Sequence, residues 1–381
     1  MTGPTGEDRH EHEHEHEHEQ ERRMSREHAV AMIERQAAAC ADLGSPLYAA
    51  LLTRVAEDVR AGGPCAQAIA GHEDAPGDAL VSLRLLGGVH ALALSGRAPE
   101  LAAHYPSTGG AFDPARPDAA WPAFRATVAA HTAWIRDWIT RPPQTNEVGR
   151  ANLLIAGLLT TVHATGLPVR LLELGASAGL NLRADHFRCV GPGYAWGPAD
   201  SPVLLENTWR ASPPPWLTEA AAAHPELTII QRRGCDPTPI DPTTPDGALR
   251  LRAYVWPDQT ARFARLDGAL RLAARVPAEV VPLGAADFLA GVRLEPGTLT
   301  VVWHSVMRQY VPGAEWARVE EQLDRLAAAS TERAAFAQIA FEPRIGAEHS
   351  FQLSVRLGGA PPRYLAEAAP HGLPAHPLPA S

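Results

Sequence analysis

Residues 172–182, Leu-Glu-Leu-Gly-Ala-Ser-Ala-Gly-Leu-Asn-Leu, decide the fold class of this 381-residue chain. They continue an apolar run that starts at Val169 and predicts a buried strand, with Glu173 near its end. Gly175 and Gly179 permit a tight turn in which the backbone approaches a ligand closely. The helix predicted to start directly afterwards would offer free N–H groups and a partial positive charge. The stretch therefore predicts a ligand-binding turn between a parallel strand and a helix.

The segments around this turn predict an α/β domain over residues 166–370. After residue 166, short apolar strands alternate with helices, which is typical of a parallel sheet. The predicted strands are 169–174, 227–232, 279–283, 299–304, 335–341, 351–357 and 364–368, the last two being an antiparallel closing pair. The predicted helices are 257–275 and 314–330, the insertion 187–225 is expected to hold a hairpin and a short helix, and 371–381 is expected to be coil.

Residues 24–165 predict a separate, all-helical domain that precedes the sheet. Apolar residues recur there at spacings of three and four, for example at Leu47, Leu51 and Val55. Glycine and proline clusters separate the predicted helices, and we find no pattern typical of a strand.

Residues 1–23 alternate histidine with glutamate over much of their length and are expected to be a disordered tail. Such a tail is either a solvated segment or a weak metal chelator, and we favour the first, so no metal site is expected. The tail carries more than half of the formal net charge of −9. The nearly neutral remainder argues against a nucleic-acid or membrane partner and favours a small-molecule substrate.

The composition excludes several kinds of chemistry. All 34 cationic side chains are arginines, because the sequence contains no lysine. That absence excludes Schiff-base enzymes, P-loop nucleotidases and Ser-Lys hydrolases. The four cysteines form no CxxC pair, and the N-terminal residues do not resemble a signal peptide. A reducing, cytoplasmic location is therefore expected.

The turn resembles the cofactor-binding loop of class I S-adenosylmethionine-dependent methyltransferases. Their pattern is Glu/Asp-x-Gly-x-Gly-x-Gly, and Ser177 stands here at the middle glycine. The resemblance implies a Rossmann-like, methyltransferase-type sheet that binds S-adenosylmethionine and methylates a small molecule. It assigns Glu173 to the methionine end of the cofactor. Gly175, Ser177 and Gly179 would form the floor of the site, with Asn181 beside them.

Residues after the later strands are expected to complete this site, because ligands of doubly wound sheets lie across the carboxyl ends of the strands. Asp236 follows the second strand and is expected to accept hydrogen bonds from the ribose. Asp287 and Phe288 follow the third strand and are expected to contact the adenine. After the fourth strand, His304 is a candidate general base, and Tyr310 is the other candidate catalytic residue. Each aspartate alone would more often be a helix cap or a turn residue.

A polar cluster precedes the helix that leads into the first strand. It reads Gln-Thr-Asn-Glu-Val-Gly-Arg over residues 144–150. Asn146, Glu147 and Arg150 either cap that helix or cover the cofactor and substrate pocket from above.

Two other functions compete with methyl transfer. Residues 175–179 also match Gly-x-Ser-x-Gly, the nucleophile elbow of α/β-hydrolases, with Ser177 as the nucleophile. That fold places several strands before the elbow, whereas the upstream half of this chain is predicted to be helical. The other alternative is a degenerate Rossmann-like protein that binds a nucleoside-like metabolite or a partner protein without catalysis. The missing middle glycine favours it, and an ordinary turn without a ligand is also open.

Several segments together resemble domain of unknown function 2332, a family of uncharacterised bacterial proteins. The resemblance covers about residues 25–370, and the family carries no assigned activity. The matching segments are 44–48, 144–150, 172–182, 234–236 with 239–241, 256–259 and 302–305. The resemblance implies that these segments belong to one unit.

Overall fold

The computed structural model describes residues 6–344 and 350–379. The chain forms two compact units. The helical unit comprises the residues up to Gln144 together with Leu249–Phe263, and the sheet unit comprises Thr145–Ala248 together with the residues from Ala264 onward. The boundary therefore falls about twenty residues before the predicted one at residue 165, and a second segment returns to the helical unit.

Packing explains both differences. The helix before the first strand is apolar on all sides and packs on the sheet, where a Cβ atom on Gly157 would lie 2.6 Å from Cγ2 of Ile339. Glycine therefore lets this helix approach the strand closely. The returning segment brings Tyr254 against Gly87, where an added Cβ atom would lie 2.7 Å from the tyrosine ring, and places Trp256 in the core of the helical unit.

The first helix differs from the prediction for residues 1–23. It begins at Gly6 and continues to Asp42, so residues 6–23 are helical where a disordered tail was expected. Glutamate, glutamine and arginine favour helix, and a helix nucleated in the packed part extends at little cost. The histidine side chains of this segment lie outside the described part, so the expectation about metal binding there stays a prediction. The helices are α1 Gly6–Asp42, α2 Pro46–Arg60, α3 Pro64–Ala68, α4 Val81–Leu94, α5 Pro99–Ala102, α6 Trp121–Ala130, α7 Thr132–Ile139, α8 Ala151–Thr165, α9 Pro215–Ala223, α10 Pro245–Ala253, α11 Thr260–Ala273, α12 Ala285–Ala290 and α13 Gly313–Ala328.

Two of the segments that resemble the family meet inside the helical unit. Asp258 accepts hydrogen bonds from the hydroxyl of Ser45, at 2.6 Å, and from the backbone N–H of Leu47, at 3.0 Å. Ser45 is the N-cap of α2, so the carboxylate of Asp258 lies at the positive end of that helix. The side chain of Gln259 donates to the carbonyl of Leu43 at 2.9 Å. These segments therefore have a structural role, which is to fasten the returning segment to α2.

Replacing Asp258 by alanine is expected to destabilise the helical unit by about 2 kcal/mol, because the backbone N–H of Leu47 and the hydroxyl of Ser45 both lose a charged acceptor at the start of α2. Urea unfolding followed by circular dichroism measures the effect. The matched control is Asp118→Ala, which removes an exposed aspartate of the same unit and is expected to change stability by less than about 0.5 kcal/mol. Equal stability of the two variants would contradict the capping role.

The sheet unit contains an eight-stranded, mixed sheet and a small three-stranded sheet. The strands are β1 Val169–Leu174, β2 Arg188–Gly191, β3 Tyr194–Trp196, β4 Leu204–Leu205, β5 Ile229–Asp236, β6 Glu279–Pro282, β7 Thr298–Ser305, β8 Ala334–Pro343, β9 Phe351–Leu357, β10 Arg363–Ala368 and β11 Ala375–Pro377. The order in the large sheet is β11-β10-β9-β8-β7-β1-β5-β6. The seven predicted strands of the large sheet are present, and the predicted hairpin and short helix are β2 with β3 and α9.

The first five strands of the large sheet along the chain are parallel, and the remaining three form an antiparallel meander. From β1 the chain first adds β5 and β6 on one side and then adds β7 and β8 on the other. The strand order therefore reverses between β1 and β7, which is the position where doubly wound sheets bind ligands. Residues 371–379 differ from the predicted coil, because β11 pairs with β10 and extends the meander.

The two faces of the parallel strands pack against different helices. Leu172, Leu174 and Val302 share a buried core with α12 and α13. Glu173 and Trp303 are paired in the register of β1 and β7, and successive side chains of a strand point to opposite faces. The Glu173 side chain therefore lies on the other face, the one on which α8 packs. Over the described residues, no helix combines the length and hydrophobicity needed to cross a membrane.

Candidate functional site at the end of the first strand

The turn after β1 contains three left-handed residues at alternate positions. The φ angles are +65° at Gly175, +53° at Ser177 and +64° at Gly179. A Cβ atom on Gly179 would lie 2.7 Å from Cγ2 of Val280, so glycine is required there for space as well as conformation. Serine is strained in this region by about 1 kcal/mol. The turn therefore has the backbone conformation of a glycine-rich loop at residues 175, 177 and 179, although residue 177 is serine.

Asp236 fastens this turn from the end of β5. Its Oδ2 atom accepts a hydrogen bond from the backbone N–H of Ser177, at 3.0 Å, and its Oδ1 atom accepts one from the N–H of Thr238, at 2.9 Å. The backbone carbonyl of Ser177 accepts from Ile240 at 3.2 Å. The structure therefore places Asp236 at the predicted strand end but engages both of its oxygens with backbone. Its observed contacts position the loop, and none of them depends on a ribose.

Glu173 is a buried carboxyl group directly before the turn, with 3% of the residue exposed. Burial raises the pKa of Glu173 to about 8, because a charged carboxylate is disfavoured away from water. The nearby side chains of Trp303 and Asn181 and the charges of Arg150 and Arg183 oppose that rise in pKa. Neither Trp303 nor Asn181 makes a hydrogen bond of normal geometry with the Oε2 atom of Glu173. Below its pKa the group is a neutral acid that can ionise when a cation approaches.

Two further polar atoms at this site need a partner. Within the described part of the chain, the Oγ atom of Ser177 and the Oδ1 atom of Asn181 are buried and form no hydrogen bond. Buried polar atoms are normally hydrogen-bonded, so such a group marks a place where a ligand or water is bound. Together with Oε2 of Glu173, these atoms give the turn three polar positions suited to a polar ligand.

The predicted covering residues lie at the same edge of the sheet. Oδ1 of Asn146 accepts from the backbone N–H of Leu180 at 2.8 Å, and the carbonyl of Glu147 accepts from the Asn181 side chain at 3.3 Å. Arg150 donates to the carbonyl of Ser305, the last residue of β7, at 3.3 Å. The carboxylate of Glu147 also accepts from the N–H of Gly149, so the capping interpretation agrees with the structure, whereas a role of these residues in covering a ligand pocket stays a prediction.

The C-terminal segment, which the sequence predicted as coil, also reaches this edge. Arg150 donates to the carbonyl of Pro370 at 2.9 Å, and Nδ1 of His371 lies 3.4 Å from Oε2 of Glu147. Gly372 adopts φ +80° against the backbone of Arg150, where a Cβ atom would lie 2.7 Å away. The sequence signal for these contacts was weak, because a Pro-His-Gly segment near a terminus is typical of a loop.

Asp287 and Phe288 do not contribute to this site. The carboxylate of Asp287 is 61% exposed and pairs with Arg318 at 2.5 Å on the surface. It lies in the first turn of α12, where a negative charge is favoured by the helix dipole. Phe288 packs in the core under the sheet, and Arg233 lies over its ring at 5.4 Å. In the structure Asp287 thus forms a surface ion pair and Phe288 is a core residue, so neither is arranged as the predicted adenine contact, and that contact stays a prediction.

His304 also differs from its predicted position. It is paired with Leu174 in the sheet, so its side chain lies on the α13 face, opposite to Glu173. There its ring meets that of Trp316 edge to face, with centroids 5.3 Å apart. Tyr310 is 59% exposed in a short 3₁₀ helix, Arg308–Tyr310. The structure therefore does not bring either candidate catalytic residue to the turn after β1.

The chain forms a strained turn directly after β7, at Val306 and Met307. Val306 has φ +53°, which is an outlier for a β-branched residue. Met307 follows, and its Cβ atom lies 3.2 Å from the position that a Cβ atom would take on Gly175. The backbone N–H of Met307 points instead to Oε1 of Glu342 on the other face, at 3.4 Å. Strain of this kind is frequent at functional sites.

The comparisons with known proteins concern almost the whole chain. The family profile described as "Uncharacterized protein conserved in bacteria (DUF2332)" matches residues 30–376. The chain belongs to this family. The match confirms the resemblance found in the sequence and covers both the helical and the sheet unit. Neither a curated protein nor a solved structure matches the chain. Among the described residues, no group of three or more His, Cys, Asp or Glu is arranged to hold a metal ion.

Proposed function

We propose that the sheet unit binds S-adenosylmethionine at the turn after β1 and that the protein methylates a small molecule. The observation that carries this proposal is the backbone of the turn. A buried glutamate is the penultimate residue of β1, left-handed residues follow at 175, 177 and 179, and the strand order reverses beside them. Binding of the cofactor through an acidic side chain also agrees with a chain that contains no lysine.

The residues of the turn fit the methionine part of the cofactor. S-adenosylmethionine supplies an electrophilic methyl group on a sulfonium sulfur. Glu173 would face the ammonium group, and a nearby cation favours the ionised form of a carboxyl group whose pKa lies near 8. Ser177 and Asn181 would supply their buried oxygens as further hydrogen-bond acceptors. The adenine has no assigned partner, because Asp287 and Phe288 make other contacts.

No general base is assigned to the reaction. His304 and Tyr310 lie away from the turn. Methyl transfer to a nucleophile that is already deprotonated can proceed by positioning the two reactants in line, because a bound and oriented pair reacts with a high effective concentration. The protein would therefore act chiefly by holding the sulfonium and its acceptor in place.

Calorimetric titration of the full chain with S-adenosylmethionine and S-adenosylhomocysteine tests the proposal. We expect binding of both, and we expect Glu173→Gln to weaken it by about tenfold or more, as for the loss of a charged hydrogen-bond partner. Wild-type protein should release a proton on binding at pH 7, seen as a dependence of the heat on the buffer, because Glu173 ionises. No binding at millimolar ligand contradicts the proposal, and binding without transfer to any acceptor favours the non-catalytic alternative.

One observation favours the serine hydrolase as a second candidate. Ser177 has the positive φ angle that a nucleophile elbow requires, and its hydroxyl is buried at the turn. Against it, the Oγ atom has no hydrogen-bond partner in the described ranges, so no base is positioned to accept its proton.

The variant Ser177→Gly separates the two candidates. It relieves the left-handed strain and is expected to raise the free energy of unfolding by up to about 1 kcal/mol. It also creates the full glycine pattern, so binding of S-adenosylmethionine should be kept. A hydrolase would lose all reaction with a fluorophosphonate probe in this variant. Labelling of the wild type alone, together with loss of cofactor binding, would reverse our order of preference.

A further inference from the structure

A second site lies on the opposite face of the sheet from Glu173. A groove of about 590 Å³ runs between α13 and the polar face of β7 to β10. That volume is within the range of small-molecule sites, about 300 to 1,000 Å³. Its floor is formed by His304, Gln338 and Glu342, and its sides by Arg308, Trp316 and Arg356.

The floor of the groove is a buried histidine held in one orientation. His304 is 2% exposed, and its Nδ1 atom lies 2.8 Å from Oε1 of Glu342. Because a carboxylate can only accept, Nδ1 is the donor in this hydrogen bond. Nε2 lies 3.1 Å from the amide nitrogen of Gln338, which donates to it. Both ring nitrogens of His304 are therefore occupied, and the histidine fixes the carboxylate beside it.

The remaining oxygen of Glu342 faces no donor. Its Oε2 atom is buried and has no hydrogen-bond partner in the residues that the structure describes. A buried carboxylate oxygen of this kind requires a donor, and an ammonium or hydroxyl group is the natural one. The floor of the groove is thus complementary to the donor end of a ligand.

The side of the groove offers a cation for the other end of a ligand. The side chain of Arg308 is 52% exposed and lies over the ring of Trp316, at 5.3 Å. Its Nη2 atom forms an ion pair with Glu320, at 3.6 Å, and its other N–H groups make no hydrogen bond to a side chain among the described residues. Arg356 is instead held by Asp324 at 2.6 Å. Arg308 therefore keeps donors for a carboxylate, which a guanidinium binds through two parallel hydrogen bonds.

We propose that this groove binds a free amino acid, with its ammonium group at Glu342 and its carboxylate at Arg308. The ring of Trp316 contacts both His304, with ring centroids 5.3 Å apart, and the guanidinium of Arg308, at 5.3 Å, so the groups proposed for the two ends of the ligand pack against one side chain. The inference stands apart from the proposal for the turn after β1, because it uses different residues on a different face.

Saturation-transfer NMR with each free L-amino acid as the probe tests the proposal on the full chain. We expect at least one to bind, and we expect its N-acetyl and its amide derivative each to bind about tenfold more weakly or not at all, because each lacks one charge. Arg308→Gln should weaken binding to a similar extent. Its matched control is Arg333→Gln, an exposed arginine outside the groove.

The variant Glu342→Gln tests the ammonium end of the ligand, and it should weaken amino-acid binding to a similar extent as Arg308→Gln. Its matched control is Glu321→Gln, an exposed glutamate on the outer side of α13, which should leave binding unchanged. If Glu342→Gln does not fold, Arg308→Gln and the blocked derivatives still decide the question. The proposal is overturned if no amino acid binds at millimolar concentration, or if binding survives both derivatives. Binding of S-adenosylmethionine should be unchanged in Arg308→Gln. The two proposals can therefore fail separately, because one is tested by binding of S-adenosylmethionine and the other by the effect of Arg308→Gln on amino-acid binding.

Discussion

Glu173→Gln is expected to be more stable than the wild-type protein at pH 9 and equally stable at pH 4. In the folded protein the pKa of Glu173 is raised to about 8, whereas in the unfolded chain it is near 4.5. The stability that the protonated group contributes is complete below pH 4.5 and is lost between pH 4.5 and 8. The difference between wild type and variant should reach about 4 to 5 kcal/mol above pH 8.

Urea unfolding of both proteins at several pH values measures this difference. Other carboxyl groups titrate equally in the two proteins and cancel. Glu219→Gln, an exposed glutamate of α9, serves as the control and should differ from wild type by a small, constant amount. A difference that does not change with pH would show that Glu173 is ionised in the folded protein.

Asp236→Ala is expected to destabilise the sheet unit by about 2 to 3 kcal/mol, because the backbone N–H groups of Ser177 and Thr238 lose a charged acceptor. The turn after β1 should then lose its fixed conformation, so S-adenosylmethionine should bind at least about tenfold more weakly. Urea unfolding and calorimetry measure the two effects.

Asp241→Ala provides the matched control. Asp241 also accepts from a backbone N–H two residues further on, that of Thr243 at 2.9 Å, but it is exposed, and its side-chain hydrogen bonds within the described part of the chain go to Thr243 and not to the turn. Its loss should cost less than about 1 kcal/mol and leave ligand binding intact. If the two variants behave alike, Asp236 is a local turn residue and does not position the loop.

The strands of the sheet could be predicted from the sequence, but the face on which each side chain lies could not. β1 and β7 are buried on both sides, so they are nearly continuous apolar runs without the alternation that distinguishes two faces. His304 was therefore placed beside Glu173 because both end a strand. Their register puts them on opposite faces, and this alone separates the two sites.

Long-range partners explain the other differences. Asp287 was predicted to contact the ligand because it follows a strand. In the structure its carboxylate pairs with Arg318, which lies thirty-one residues further along the chain and could not be identified as a partner from the local sequence. Glu342 was missed, although it follows a predicted strand as Asp236 does. The turn itself was predicted because its signal is local, since glycine spacing and a preceding apolar strand are visible within eleven residues.

The return of Leu249–Phe263 to the helical unit has a consequence for biosynthesis. The residues up to Gln144 are synthesised before Trp256 and Asp258, so until then their core lacks the ring of Trp256 and the N–H of Leu47 lacks its carboxylate acceptor. Both of these partners follow β1 and β5 along the chain and are synthesised after them. The helical unit therefore cannot be completed until two strands of the sheet unit have been synthesised. A fragment that stops at residue 144 would be an incomplete protein rather than an independent domain.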